Sequence, residues 1–154
     1  MAPDQNRVRL IAEAREENVA IARALAAQVA ASLEFTLPEL EELRIAVSEA
    51  VSNAVLHAYA PNPAGATPEF VLTLEVGDGT LLVEVRDDGR GIADVTAARR
   101  AEFSTLEGHL GLGFAFMEAM TDELRVESAP GGGTVVRMRK RPHGAVAEPD
   151  PASR

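Results

Sequence analysis

"EFVLTLEVGDGTLLVEVRDDGRGI", residues 69 to 92, decides how this chain folds. Phe70, Leu72, Leu74 and Val76 alternate with other residues, and Leu81, Val83 and Val85 do the same, on either side of a glycine-containing turn at Gly77 to Gly79. Alternation of period two around such a turn predicts a β-hairpin with one apolar face. After Val85 the strand runs into two acids and two glycines, Asp87, Asp88, Gly89 and Gly91. Such a stretch is either an ordinary turn or the floor of a pocket.

Working outward, "RVRLIAEA" (Arg7 to Ala14) predicts a first short strand, and the alanine-rich run from Glu16 to about Leu33 predicts a helix. A second helix opens at Thr36, where Thr36 and Glu39 have capping-box spacing and Pro38 sits in the first turn, and it stops before Pro61, Pro63 and Gly65. Beyond the hairpin the sequence predicts a short helix over 94–102, an irregular segment from Phe103 to Gly113, a helix from Phe114, and a second hairpin with a Pro-Gly turn ending at Lys140. Hairpins separated by helices imply an α/β two-layer sandwich: a mixed, mostly antiparallel sheet with helices on one face. They do not suggest a doubly wound sheet, in which strands and helices alternate throughout. Residues 1–140 are expected to form one domain, and 141–154 a disordered tail.

Composition narrows the function. The 154 residues are 46% hydrophobic and 25% charged, enough for one buried core. With no cysteine there is no disulfide framework and no thiolate chemistry. Neither a membrane-spanning run nor a signal peptide is visible, so a cytoplasmic protein is expected. The net charge of −9 lies wholly outside the last fourteen residues, whose two Arg, one Glu and one Asp cancel. A phosphate-coated duplex would repel such a domain, which argues against direct nucleic-acid binding.

Four short patterns could carry chemistry. On the second helix Leu43, Val47, Ala50, Val51, Ala54 and Ala58 mark a core stripe, while Glu49 and Asn53, four apart, share another face that His57 extends by a turn. A carboxylate one turn before a carboxamide can pair a proton acceptor with a metal-ion oxygen ligand; a solvated face is the bland alternative. At the strand end, Asp87 could accept from an exocyclic amine, and Gly89 and Gly91 permit close ligand approach. Gly108, Gly111 and Gly113 precede a helix, where backbone N–H groups could cradle phosphate, although this is neither a Walker loop nor the dinucleotide fingerprint. Thr134 opens the last strand after three glycines.

In this order the four patterns resemble the GHKL ATPase superfamily. "SEAVSNAVLHAY" is similar to its N box, "RDDGRGI" and "LGLGF" to its two glycine boxes, and "GGTVV" to its last box. Within the superfamily the chain most resembles the anti-sigma factor serine kinases of the sporulation anti-sigma F type. The resemblance implies ATP or ADP with Mg²⁺ as ligands. It implies that Asp87 binds the adenine amino group with Thr134 supporting through a water, that Gly89 and Gly91 shape the pocket wall, and that Gly111 and Gly113 line the phosphate end. Asn53 would ligate Mg²⁺, and Glu49 would act as general base toward a serine hydroxyl. The implied partners are a sigma factor, held inactive, and an anti-anti-sigma factor bearing the serine, both contacted by Arg23; a homodimer is also implied. In one departure, His109 and Leu110 stand in the expected ATP lid, Phe103 to Gly111, where relatives carry a basic residue. A neutral histidine stabilises phosphate charge less well than arginine. Two alternatives stand beside the kinase: an ATP-binding interaction module without transfer activity, and a histidine-kinase catalytic domain, which lacks here a dimerising helix pair with a phosphoacceptor histidine.

Overall fold

A computed structural model describes residues 5–60, 67–100 and 106–144, with the backbone alone for 106–111. Five strands, β1 (Asn6–Glu13), β2 (Glu69–Gly77), β3 (Thr80–Asp87), β4 (Glu123–Ser128) and β5 (Thr134–Lys140), form one sheet in the order β1-β2-β3-β5-β4. Every neighbouring pair among them is antiparallel, so the expected admixture of parallel pairing is absent from the described sheet. Helices α1 (Glu16–Ala30), α2 (Leu37–Asn53), α3 (Val95–Arg100) and α4 (Leu106–Met120) complete the two-layer sandwich. Among the described residues no helix is long and apolar enough to cross a membrane.

The central hairpin forms as its alternation dictates. Gly77 pairs with Thr80 across a two-residue turn in which Asp78 and Gly79 have φ of 52° and 69°. Positive φ at both positions is the turn geometry that matches strand twist, and it favours an Asp-Gly sequence. Phe70, Leu72, Leu74, Val76, Leu81, Val83 and Val85 are buried and join the same core as Ala22, Ala26, Leu43, Val47, Ala50 and Val51 from α1 and α2. The predicted stripe of α2 is buried throughout, from Leu43 to Ala58. One sheet face thus carries the helices. The other carries ion pairs such as Arg7–Glu75 and Arg137–Glu84, the latter 2.8 Å long.

Helix α2 begins on a complete capping box. The Glu39 N–H donates to Thr36 Oγ1 at 3.4 Å, and Glu39 Oε2 accepts from the Thr36 N–H at 2.8 Å. Burial alone would raise the Glu39 pKa, but hydrogen bonds from the Thr36 and His143 N–H groups outweigh it, and the net shift is downward. At its far end α2 does not continue as regular helix to Ala60, as the sequence suggests. Ala54–Ala58 form a π turn, and the Ala58 carbonyl accepts the Arg90 N–H at 2.7 Å instead of extending the helix.

A second difference concerns α4, which starts at Leu106 inside the segment expected to be irregular. Leu106, Leu110, Phe114 and Met117 recur at helical spacing, and each interior glycine weakens a helix by only about 1 kcal/mol. Phe103 to Thr105, the start of the expected lid, lie outside the described residues. At the carboxyl end, Lys140 is buried with its Nζ 2.7 Å from Glu42 Oε2 and 2.8 Å from the Met120 carbonyl. Past it, the Arg141 N–H donates to Asp122 and the His143 N–H to Glu39; residues 145–154 lie outside the described residues.

Candidate functional site

The segments that carry the four patterns meet at one cavity between α2 and the ends of β3 and β5. Ala50, Asn53, His57 and Ala58 line it from the helix and π turn, Asp87, Arg90, Gly91 and Ile92 from the end of β3, and Phe114, Thr134 and Val136 from α4 and β5. Asn53, Asp87, Gly91 and Thr134 are therefore brought together although they lie on three separate elements and the loop after β3.

Asp87 is the one carboxylate among the described residues that line this cavity. It is the last residue of β3, buried, and its Oδ1 accepts the Gly89 N–H at 3.0 Å. Burial raises its pKa above the ordinary 3.8; the Gly89 and Thr134 backbone N–H groups oppose that shift, and the nearby Asp88 charge adds to it. A desolvated carboxylate with unused lone pairs has a strong affinity for an N–H donor.

The loop after Asp87 is shaped by what its glycines omit. A Cβ on Gly89 would stand 2.2 Å from the Ala58 carbonyl oxygen, and one on Gly91, where φ is +73°, would stand 1.9 Å from the Ala129 oxygen. Both are far inside van der Waals contact with backbone that cannot turn away. The Arg90 N–H to Ala58, the Gly131 N–H to Arg90 and the Gly133 N–H to Gly89 then tie the loop to the π turn and to the second hairpin.

Beside Asn53 helix packs on helix, and of the residues that meet there Asn53 lines the cavity whereas Glu49 and Gly113 do not. Gly113 of α4 faces Glu49 and Asn53: a Cβ there would lie 3.0 Å from Glu49 Oε2 and 3.5 Å from Asn53 Oδ1. Asn53 Nδ2 is buried with no hydrogen-bond partner among the described residues. Such an atom is costly to leave unpaired and marks a place where a bound group completes the bonding. Glu49 is half-buried one turn before Asn53. Gly111 lies in the backbone of α4, and its surroundings, like those of His109 and Leu110, fall outside the description. Arg23 of α1 is exposed, with Nη1 3.5 Å from Ser48 Oγ, the residue beside Glu49.

Sequence reasoning missed several contributors. The Tyr59 hydroxyl donates to the Glu69 carbonyl at 2.5 Å and accepts the Asp88 N–H at 3.1 Å, fastening the strand-end loop to the start of β2. Gly133 is buried against the Asp87 carbonyl, and Ser128 holds Ile92, Gly133 and Thr134. Tyr59 and Gly133 lie within the quoted "SEAVSNAVLHAY" and "GGTVV" but were not singled out there; Ser128 depends on strand register.

Comparison with known proteins matches residues 12–140 to the family described as Histidine kinase-like ATPase domain. The Anti-sigma F factor of Heyndrickxia coagulans is 40% identical over 139 residues, which cover 88% of this chain and 92% of that protein. That of Caldanaerobacter subterraneus subsp. tengcongensis is 41% identical over 130 residues, 82% and 87% of the two chains. Among solved structures, the RsbU and RsbW domains of a Mycobacterium tuberculosis protein superpose with a TM-score of 0.63 at 22% identity, covering 88% of this chain and 32% of that one. A blue-light activated histidine kinase from Erythrobacter litoralis superposes with a TM-score of 0.53 at 26% identity, covering 70% of this chain and 32% of that one.

Proposed function

Because this chain belongs to the histidine kinase-like ATPase domain family, with anti-sigma F factors as near full-length relatives, we propose that it is an anti-sigma factor that binds ATP and phosphorylates a serine on an anti-anti-sigma protein. The observation that carries this reading is the convergence of Asn53, Asp87, Gly91 and Thr134 on one cavity.

In this function Asp87 accepts a hydrogen bond from the adenine amino group, with Thr134 beside it. Gly89 and Gly91 shape the pocket wall by letting the loop pack against the Ala58 and Ala129 carbonyls. The Asn53 carboxamide suits a magnesium site through its oxygen, Oδ1, since Mg²⁺ takes few protein ligands and keeps water and phosphate oxygens for the rest. Its buried Nδ2, unpartnered among the described residues, is a donor that suits a phosphate oxygen. When bound, the ion would neutralise phosphate charge. Gly111 and Gly113 line the phosphate end. Glu49, one helical turn from Asn53, takes the proton from the serine hydroxyl as its oxygen bonds to the γ-phosphorus and the bond to the leaving ADP oxygen breaks. Phosphoryl transfer of this kind depends on positioning and charge stabilisation more than on covalent help from the protein.

Arg23 lies close enough to Ser48 to contact a protein approaching Glu49. The sigma factor and the anti-anti-sigma protein are its partners, the working unit is a homodimer, and it acts in the cytoplasm. The test is incubation of the full chain with labelled ATP, Mg²⁺ and a cognate anti-anti-sigma protein. Acid-stable phosphoserine is the expected product. Binding of ATP without transfer would leave a regulatory interaction module, and acid-labile phosphohistidine would replace the serine kinase with histidine chemistry.

A further inference from the structure

Three polar side chains form a row across the sheet at the base of the cavity. Asp87 of β3 is paired with Thr134 of β5, and Thr134 is paired with Ser128 of β4. Residues directly opposite on antiparallel strands project from the same face, so a row of this kind brings their side chains into contact. Ser128 is not among the residues that line the cavity, yet its Oγ lies 2.7 Å from the Ile92 nitrogen, 2.8 Å from the Gly133 oxygen and 2.8 Å from Thr134 Oγ1.

These three distances determine where the protons go. A serine hydroxyl has one proton and two acceptor positions. The Ile92 N–H can only donate, so it occupies one acceptor position. The Gly133 carbonyl can only accept, so it takes the serine proton. What remains for the Thr134 hydroxyl is to donate to the second acceptor position of Ser128. All three bonds are then made, and Thr134 Oγ1 turns only lone pairs toward the cavity. The reverse assignment, serine donating to threonine, gives up the bond to Gly133, and a forgone buried hydrogen bond is costly.

The geometry points to Ser128 as a specificity-determining positioning residue: by holding the Thr134 proton it makes the pocket floor a pair of acceptors, the Asp87 carboxylate and the Thr134 hydroxyl oxygen. Two acceptors side by side suit an exocyclic amine, which has two N–H groups, or an amine and a bridging water. They oppose a ring carbonyl in the same place, as guanine would present. Without Ser128 the threonine hydroxyl is free to rotate and donate, and a carbonyl then gains a partner. The inference rests on the reading of this cavity as an adenine-nucleotide site, and it adds the residue that enforces the choice of base.

The test is a double-mutant cycle read by calorimetric titration of ADP and GDP, with Mg²⁺, into the full chain. The four proteins are wild type, Ser128→Ala, Thr134→Val and the double variant. Ser128→Ala is expected to narrow the ADP-over-GDP preference about tenfold, the scale of one hydrogen bond changed from repulsive to attractive. In the Thr134→Val background the same substitution should change the preference less than about twofold, because there is no hydroxyl left to orient. Ser128→Thr, which keeps the hydroxyl, should restore the preference. An unchanged preference in Ser128→Ala, or equal narrowing in both backgrounds, would overturn the inference, the second by showing that Ser128 only supports the backbone of Ile92 and Gly133. If Ser128→Ala does not fold, Ser128→Cys, with its weaker donor, takes its place with about a threefold narrowing expected and the same overturning outcomes. A wild-type protein that does not prefer ADP to GDP would overturn the adenine reading itself, and that result appears before any substitution is made.

Discussion

The two halves of the candidate site, the end of the sheet and the α2–α4 contact, are built on different principles. At the base end, Asp87, Gly89, Gly91, Ser128 and Thr134 are held by strand register and by backbone hydrogen bonds between loops, with no room for a Cβ at either glycine. At the other end, Glu49, Asn53 and Gly113 meet because two helices pack together; the nearest neighbours are side-chain tips, and one buried amide nitrogen lacks a partner among the described residues. The first end is fixed in shape by the chain itself and leaves acceptor lone pairs on Asp87 and Thr134. The second leaves a donor, the Asn53 amide nitrogen, to what it binds. The proposed function calls for this difference: a base would be selected by fixed acceptors, whereas charge would move at the phosphate end during transfer.

The comparison breaks most readily at its glycines. Gly91→Ala forces a Cβ into the Ala129 carbonyl at positive φ, so a stability loss of about 3 kcal/mol or more is expected in urea unfolding, with loss of nucleotide binding. Gly113→Ala meets only the end of a Glu49 side chain, and about 1 kcal/mol of helix propensity works in its favour, so stability should change by less than about 1 kcal/mol while phosphate transfer falls. Equal stability losses at the two glycines would erase the distinction. Next in size, Glu49→Gln should slow transfer about 10²-fold or more while ATP affinity, measured by calorimetry, stays within about twofold. A parallel loss of affinity would make Glu49 part of the binding end.

Asp87→Asn sharpens the contrast through pH. In the free protein the folded-state pKa of Asp87 is raised, chiefly by burial, so between the ordinary 3.8 and that raised value the folded state holds the extra proton and stability falls as pH rises. Asparagine removes this penalty. The variant's Tm relative to wild type should therefore increase as pH rises through that window, while its ATP affinity drops about tenfold. A Tm difference that does not vary with pH, or unchanged affinity, would remove Asp87 from the centre of the site. The smallest effect on the site is expected at Thr36→Ala, far from the cavity: a stability loss of about 1 kcal/mol from the lost cap of α2, read by thermal unfolding, with base preference unaltered.

How much of this was legible beforehand differs along the chain. The hairpin of β2 and β3, the capped start of α2 and its buried stripe were all readable, because alternation, a capping box and an apolar repeat are local patterns that burial then rewards. Asn53, Asp87, Gly91 and Thr134 were singled out from motif order, and each lines the cavity. The π turn at Ala54–Ala58 and the early start of α4 were not legible. The first accompanies the Arg90 N–H's contact with Ala58, a partner distant in sequence. The second follows helical spacing that interior glycines obscure.

The sequence alone determined which elements form and which side chains have the chemistry for nucleotide work, since both follow from interactions over a few residues. Tertiary structure alone decided that Ser128 stands beside Thr134, that Tyr59 fastens the loop after β3, and that Gly113 admits α4 to Glu49 and Asn53. These contacts join residues brought together by strand register and helix packing, and no local pattern encodes where a distant partner's hydrogen bond or missing Cβ will be needed.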